Sequence, residues 1–122
     1  MDPDGVVASA LEVLEVAEVP PLLAGGAHPF SPEELAFARA RSDPERRLAA
    51  RLAAKRAAAR LLGGGVSPSD VEVSRRPGRP PRLRLSPRAE AQLREQGADQ
   101  ILVSLTHERR HAAAAVLLIR SR

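Results

Sequence analysis

Ser42-Asp43-Pro44-Glu45-Arg46-Arg47-Leu48-Ala49-Ala50-Arg51-Leu52-Ala53-Ala54-Lys55-Arg56-Ala57-Ala58-Ala59-Arg60-Leu61-Leu62 reads as one uninterrupted helix. Proline stands at the first helical position and a carboxylate in the first turn, both favourable at a helix start. Gly63-Gly64-Gly65 ends it. Upstream, Phe30-Ser31-Pro32-Glu33-Glu34 carries the same start signal behind a serine cap and predicts a shorter helix to about Arg41. Before it, the apolar run Gly5 to Val13 reads as a buried strand. Leu14 to Leu23 would continue as helix, but Pro20-Pro21 must break or delay it, and Gly25-Gly26 marks a loop.

Downstream of the glycines, the pattern changes to a period of two. Val71 and Val73 alternate within Asp70 to Ser74, as Leu83 and Leu85 do within Arg82 to Leu85, after a turn at Ser67-Pro68-Ser69. Pro77-Gly78-Arg79-Pro80-Pro81 joins them as a strand-turn-strand unit or a Pro-rich loop. Ser86-Pro87 opens a short helix to Gln96, closed by Gly97, and Ile101 to Thr106 and Ala112 to Ile119 read as two last strands. Strand, helices, hairpin, helix, hairpin is the order of an α+β domain with an antiparallel sheet.

Composition limits what such a domain can do. Its 122 residues are expected to form a single domain, 1–122. Hydrophobic residues are 43% of the chain but aromatic ones only 2%, so the core is Leu, Val, Ile and Ala, a thin core of a kind that leans on self-association. The absence of cysteine excludes a disulfide scaffold, a thiolate zinc site and a catalytic thiol. No apolar run approaches the roughly 20 residues that cross a bilayer. Met1-Asp2-Pro3-Asp4 is acidic where a signal peptide is basic, so a cytoplasmic location is expected. Net charge is +4 with a pI near 11.1, and Lys55 is the sole lysine, so arginine carries the basicity. Arginine richness beside Ala, Pro and Gly is what a GC-rich genome produces, so the high pI is weak evidence for a nucleic-acid partner. The clusters Arg75 to Arg84 and Arg109 to Arg122 can nevertheless bind an anion.

Four stretches, in order and at matching spacing, resemble the holo-acyl-carrier-protein synthases, a family of 4′-phosphopantetheinyl transferases. Gly5-Val6-Val7-Ala8-Ser9-Ala10-Leu11-Glu12-Val13 resembles the family's Gly-x-x-x-Asp-hydrophobic-hydrophobic-Glu-hydrophobic start. Phe30-Ser31-Pro32-Glu33-Glu34-Leu35 is similar to its F-T-x-x-E-L helix start, and Arg51-Leu52-Ala53-Ala54-Lys55-Arg56-Ala57 to its R-[FW]-A-A-K-E-A. Val103-Ser104-Leu105-Thr106-His107 resembles its V-S-[IL]-[ST]-H. The resemblance implies a phosphopantetheinyl-transferase-like fold, an antiparallel sheet packed with one long and several short helices. It also implies a homotrimer with sites at its subunit interfaces.

In the family, the Asp of the first motif and the Glu of K-E-A hold Mg²⁺ against the coenzyme A diphosphate while a carrier-protein serine attacks. Here those positions are Ser9 and Arg56. A hydroxyl is a poor Mg²⁺ ligand and a guanidinium repels the ion, so no metal is expected. The family's basic first helix docks an acidic carrier protein, but this chain has Glu15 and Glu18 there. The cationic half remains: the resemblance implies that Arg46, Arg47, Arg51, Lys55, Arg60, Gly64 and Gly65 contact coenzyme A phosphates. His107 is the acid/base candidate and Arg56 an anion or oxyanion stabiliser.

The leading expectation is a repurposed protein acting without Mg²⁺ on an acyl intermediate, polyketide or fatty-acid-like, bound to a carrier protein or coenzyme A in secondary metabolism. One alternative is an active holo-acyl-carrier-protein synthase that recruits metal through Glu12 and the nucleotide. The other is a non-catalytic trimeric scaffold. Arg56 has a second reading, drift on a solvated helix face, and Ser9 has no base partner to make it a nucleophile. His107-Glu108-Arg109-Arg110-His111 spells H-E-x-x-H, but a strand precedes it and no third ligand follows, so a polar hairpin turn is expected in place of zinc. His28, beside Pro29, is expected to be exposed and silent. Arg75 to Arg82 lacks the aromatics that stack bases, and the family has a Gly-[KR]-Pro hairpin there, matched by Gly78-Arg79-Pro80.

Overall fold

Helix α3, Pro44–Leu62, is the element around which the domain is arranged, in a computed structural model that describes residues 5–121. The acidic start Met1 to Asp4 and the final Arg122 lie outside the described residues. Before α3 come β1 (Gly5–Glu15), a single 3₁₀ turn (Val16–Glu18), α1 (Val19–Gly25) and α2 (Pro32–Arg39). After it come a second 3₁₀ turn (Pro68–Asp70), β2 (Val71–Ser74), β3 (Arg82–Leu85), α4 (Pro87–Glu95), β4 (Gln100–His107) and β5 (His111–Arg120). This is the expected α+β class, with helices packed against antiparallel sheets.

The larger sheet has the order β1-β5-β4 and is antiparallel throughout, while β2 and β3 form a separate hairpin. Its register sorts the side chains by face, because successive residues point to opposite sides. One row, Leu14 with Ala112 and His107, then Glu12 with Ala114 and Leu105, then Ala10 with Val116 and Val103, looks toward α3. The other row places Ser9, Leu11 and Val13 beside Leu117, Ala115 and Ala113, and these beside Leu102, Ser104 and Thr106. A shift of register between Val6 and Ala8 sets this parity.

Small residues let α3 lie close on the sheet. Ala49, Ala50, Ala53, Ala54, Ala57 and Ala58 are buried, as are Ala112, Ala114 and Val116 on the strand beneath. The two Phe of the chain do not build this layer. Phe30 closes its edge, and the Phe37 ring lies between the guanidiniums of Arg41 and Arg51 at 4.4 and 4.2 Å.

Helix starts follow the capping chemistry read from the sequence. The Ser31 hydroxyl accepts from the Glu34 amide, and the Glu34 carboxylate accepts from the Ser31 amide, so both oppose otherwise unpaired donors. Pro20-Pro21 delays the helix as expected: α1 begins only at Val19, with the prolines in its first turn where a missing N–H costs nothing, while Leu14 and Glu15 stay in β1. Helix α2 ends at Arg39 and not at Arg41.

A buried ion pair ties α2, α3 and β2 together. Lys55 Nζ lies 2.8 Å from Glu34 Oε1 and also donates to the Val71 carbonyl, while the Val73 amide donates to Glu34 Oε2 at 2.8 Å. Both side chains are shut off from solvent. The pair fixes the rotation of α3 about its own axis, and therefore which arginines emerge on which side.

Candidate functional site

Starting from Arg51 on the Lys55 side of α3, Arg56 lies about 140° around the axis, at 100° per residue. The helix therefore divides its basic residues into two groups.

The first group surrounds His107, whose ring ends β4 on the face toward α3. Arg47, Asp43, Arg46 and Arg51 all contribute to the field at this ring. Asp43 accepts from Arg47 Nε at 3.1 Å, and the Arg51 Nη1 donates to the Arg47 carbonyl at 3.4 Å. Arg51 is 3% exposed, and its burial pulls the guanidinium pKa down to about 10, so it stays charged at neutral pH. Two shielded nitrogens here, Arg51 Nε and His107 Nδ1, have no hydrogen-bond partner among the described residues. Buried polar atoms are rarely left so, and a charge-bearing nitrogen of this kind is one that a bound anion can satisfy.

Burial, then the charge of Arg47, holds the His107 pKa below its ordinary 6.5, with Asp43 opposing. The imidazole is accordingly neutral at pH 7. Because the unfolded chain takes up this proton first as pH falls, His107 weakens the fold as pH drops below 6.5, and the loss levels off below the folded-state pKa. An NMR titration of the ring is expected to give a midpoint below 6.5; a midpoint above 6.5 would contradict the geometry.

The second group faces β1 and the first 3₁₀ turn. Arg56 Nη1 lies 3.3 Å from Glu18 Oε1. Arg60 Nη1 pairs with Glu12 at 2.5 Å, and its Nη2 donates to the Leu11 carbonyl at 3.2 Å. Expected neighbours thus separate: within one chain, Arg56 and His107 stand on opposite sides of α3.

Two expected phosphate contacts need correction or a different cause. Lys55 is 1% exposed and committed to Glu34, so it cannot reach a phosphate without stranding a buried carboxylate. Gly64 has φ +60, a left-handed backbone that side chains rarely adopt, and it sits against the Gln92 side chain of α4. Conformation alone accounts for that glycine; Gly65, next to it, approaches Arg88. Arg46 lines a hollow of about 290 Å³ with Arg109, Asp43 and Glu45, at the start of α3.

His107 and His111 fall on neighbouring strands, either side of the hairpin turn. Glu108 serves that turn, accepting from the Arg110 and His111 amides and lying 2.9 Å from His111 Nδ1. The arginine-rich hairpin also has a local structure. Arg76, Arg79, Arg82 and Arg84 line a cavity of about 310 Å³ on its outer face, with Ser74 and Pro80. Sequence reasoning missed Glu18 and Glu34 as partners, since both contacts join residues far apart in the chain.

The resemblance implies Mg²⁺, and at the two positions it assigns to the ion this chain carries a hydroxyl, Ser9, and a guanidinium, Arg56, neither of which is an Mg²⁺ ligand of the carboxylate kind. Ser9 points to the outer face of β1, away from Arg56, and the nearby carboxylates Glu12 and Glu18 are each engaged by a guanidinium. Among the described residues no three His, Asp or Glu side chains gather into a metal-holding group.

No protein-family model matches the chain. A curated relative, the holo-[acyl-carrier-protein] synthase of Thermus thermophilus, is 41% identical over 118 residues, covering 93% of each chain. The crystal structure of the Neisseria meningitidis holo-[acyl-carrier-protein] synthase superposes with a TM-score of 0.78 at 24% identity, covering 93% of this chain and 98% of that one. The Helicobacter pylori enzyme, solved in complex with coenzyme A, superposes with a TM-score of 0.74 at 19% identity over 91% and 99%. Four motifs in order, the same fold and a relative so similar along nearly its whole length place this chain in the holo-acyl-carrier-protein synthase family.

Proposed function

We propose that the chain transfers 4′-phosphopantetheine from coenzyme A to the serine of an acyl carrier protein. The observation that carries this reading is the pair of unpartnered nitrogens, Arg51 Nε and His107 Nδ1, with Arg47 and Arg51 both acting on the His107 ring, in a chain whose relative along almost its full length bears that activity in its name. Relatives named for the transfer favour it over repurposed acyl chemistry in secondary metabolism. The serine oxygen attacks the phosphorus that bears the pantetheine arm, and 3′,5′-ADP leaves. Arg47 and Arg51 hold phosphate charge, and the neutral His107 takes the serine proton.

We infer further that the chain works as a homotrimer. The outer sheet face supports this: Leu11, Val13 and Leu102 are 66%, 58% and 48% exposed, next to Ala113, Ala115 and Leu117. A monomer rarely leaves such a patch open. Subunit packing would also reunite, between chains, the two arginine groups that α3 holds apart within one.

Incubation with coenzyme A and an apo carrier protein, read by intact mass, is expected to add the phosphopantetheine mass to the carrier. Binding of coenzyme A with no gain of mass would replace the transfer with the scaffold reading. Among the described residues no helix is long and apolar enough to cross a membrane.

A further inference from the structure

Where the resemblance implies an acidic metal cradle, this chain has two guanidiniums matched by two carboxylates. Arg56 and Arg60 lie one turn apart on the same side of α3, about 5–6 Å apart at Cβ. Each is engaged by a carboxylate from the strand side, Glu18 for Arg56 and Glu12 for Arg60. Both guanidiniums remain reachable from solvent, at 34% and 55% side-chain exposure.

We propose that this face of α3 is a metal-independent diphosphate site, in which Glu18 and Glu12 hold the guanidiniums until a diphosphate displaces them. The inference rests on the coenzyme A reading above and names how its diphosphate is held. A planar guanidinium takes two phosphate oxygens at once, and two forks a turn apart can take one phosphoryl group each. An exposed ion pair contributes little to stability, so giving it up is easy. The carboxylates still matter in the free protein, because they keep the two like charges from repelling one another across the turn. The same guanidiniums would expel Mg²⁺, so the fixed charge is supplied by the chain itself.

The test is calorimetric titration of coenzyme A, and separately of inorganic pyrophosphate, into the full chain in EDTA and again in Mg²⁺. In the wild type each Kd is expected to agree between the two buffers within about twofold, since the guanidiniums need no ion. Glu18→Gln removes the competing carboxylate and is expected to tighten both ligands about three- to fivefold, the measure of a weak surface pair. Arg56→Glu is expected to weaken both by about thirtyfold or more, as a lost charge-assisted fork should. Arg56→Gln serves the same purpose if the Glu variant fails to fold by circular dichroism.

Tightening of the wild type by more than about tenfold on adding Mg²⁺ would overturn the proposal. So would an unchanged Kd in Glu18→Gln or in both Arg56 variants. If pyrophosphate binds through Arg56 and coenzyme A does not bind, the diphosphate site stands and the transfer reading falls. Coenzyme A binding that ignores Arg56 would leave the transfer reading and remove this site. If neither probe binds, both are wrong.

Discussion

Replacing Lys55 with methionine is expected to cost about 3–5 kcal/mol of folding stability, the range for breaking a buried pair from one side. Lys55 and Glu34 are both closed to solvent and lie 2.8 Å apart; Arg51 also feels the Glu34 charge, but among the described residues Lys55 makes the one ion-pair contact with it. The Ser31 and Val73 amides still donate to the carboxylate, but neutral donors do not balance a full buried charge. The double variant Lys55→Met, Glu34→Gln is expected to recover part of the loss, because the amide carries no charge, though its single oxygen can accept from only one of the Ser31 and Val73 amides. Urea unfolding of the wild type, both single variants and the double variant measures the coupling. A loss below about 1 kcal/mol in Lys55→Met, the range of an exposed pair, would mean that the lock does not hold α3 in place.

The second large effect concerns assembly. Wild type is expected to sediment at three times the 13.0 kDa chain mass, and Leu11→Asp at the mass of one chain. Leu11 is 66% exposed in the single chain, so the substitution leaves the fold intact. In the assembly it would bury an unpaired carboxylate three times over, each losing roughly 1.5–3 kcal/mol of apolar burial before the cost of the charge itself. Coenzyme A binding is expected to fall with the assembly if the two arginine groups meet only between subunits. Sedimentation equilibrium decides it: wild type at 13.0 kDa across micromolar concentrations would contradict the trimer and the shared site together.

Local chemistry made much of the fold legible. Ser31 with Glu34 wrote a helix start, Gly63 an end, and the alternation of Val71 with Val73 and of Leu83 with Leu85 a hairpin with one covered side. Each of those signals acts within a few residues, which is why they survive in a single sequence. Pro20-Pro21 rightly signalled a delayed helix, but no local signal showed that Leu14 and Glu15 would finish β1 before it. The site was harder. Arg51, Lys55 and Arg56 sit close along the chain, so they read as one cationic cluster. Helical phase sends Arg51 toward His107, Lys55 under the hairpin and Arg56 toward Glu18. Which environment each face meets depends on the register shift near Val7 and on Glu34 reaching Val73, contacts that no local pattern encodes.

The alanines between α3 and the sheet have one more consequence. With Ala53, Ala54, Ala57 and Ala58 buried on the helix and Ala112 and Ala114 buried on the strand, methyl groups separate the two layers. The layer works like a machined spacer, and any larger side chain there acts as a shim that lifts or tilts the helix. Both arginine groups ride on that helix, one on each flank, so a shim would raise one and lower the other without touching either. Mutational drift in this domain is therefore coupled. The most monotonous residues in the chain set the elevation of its most reactive ones, and their uniformity is a tolerance and not a lack of information.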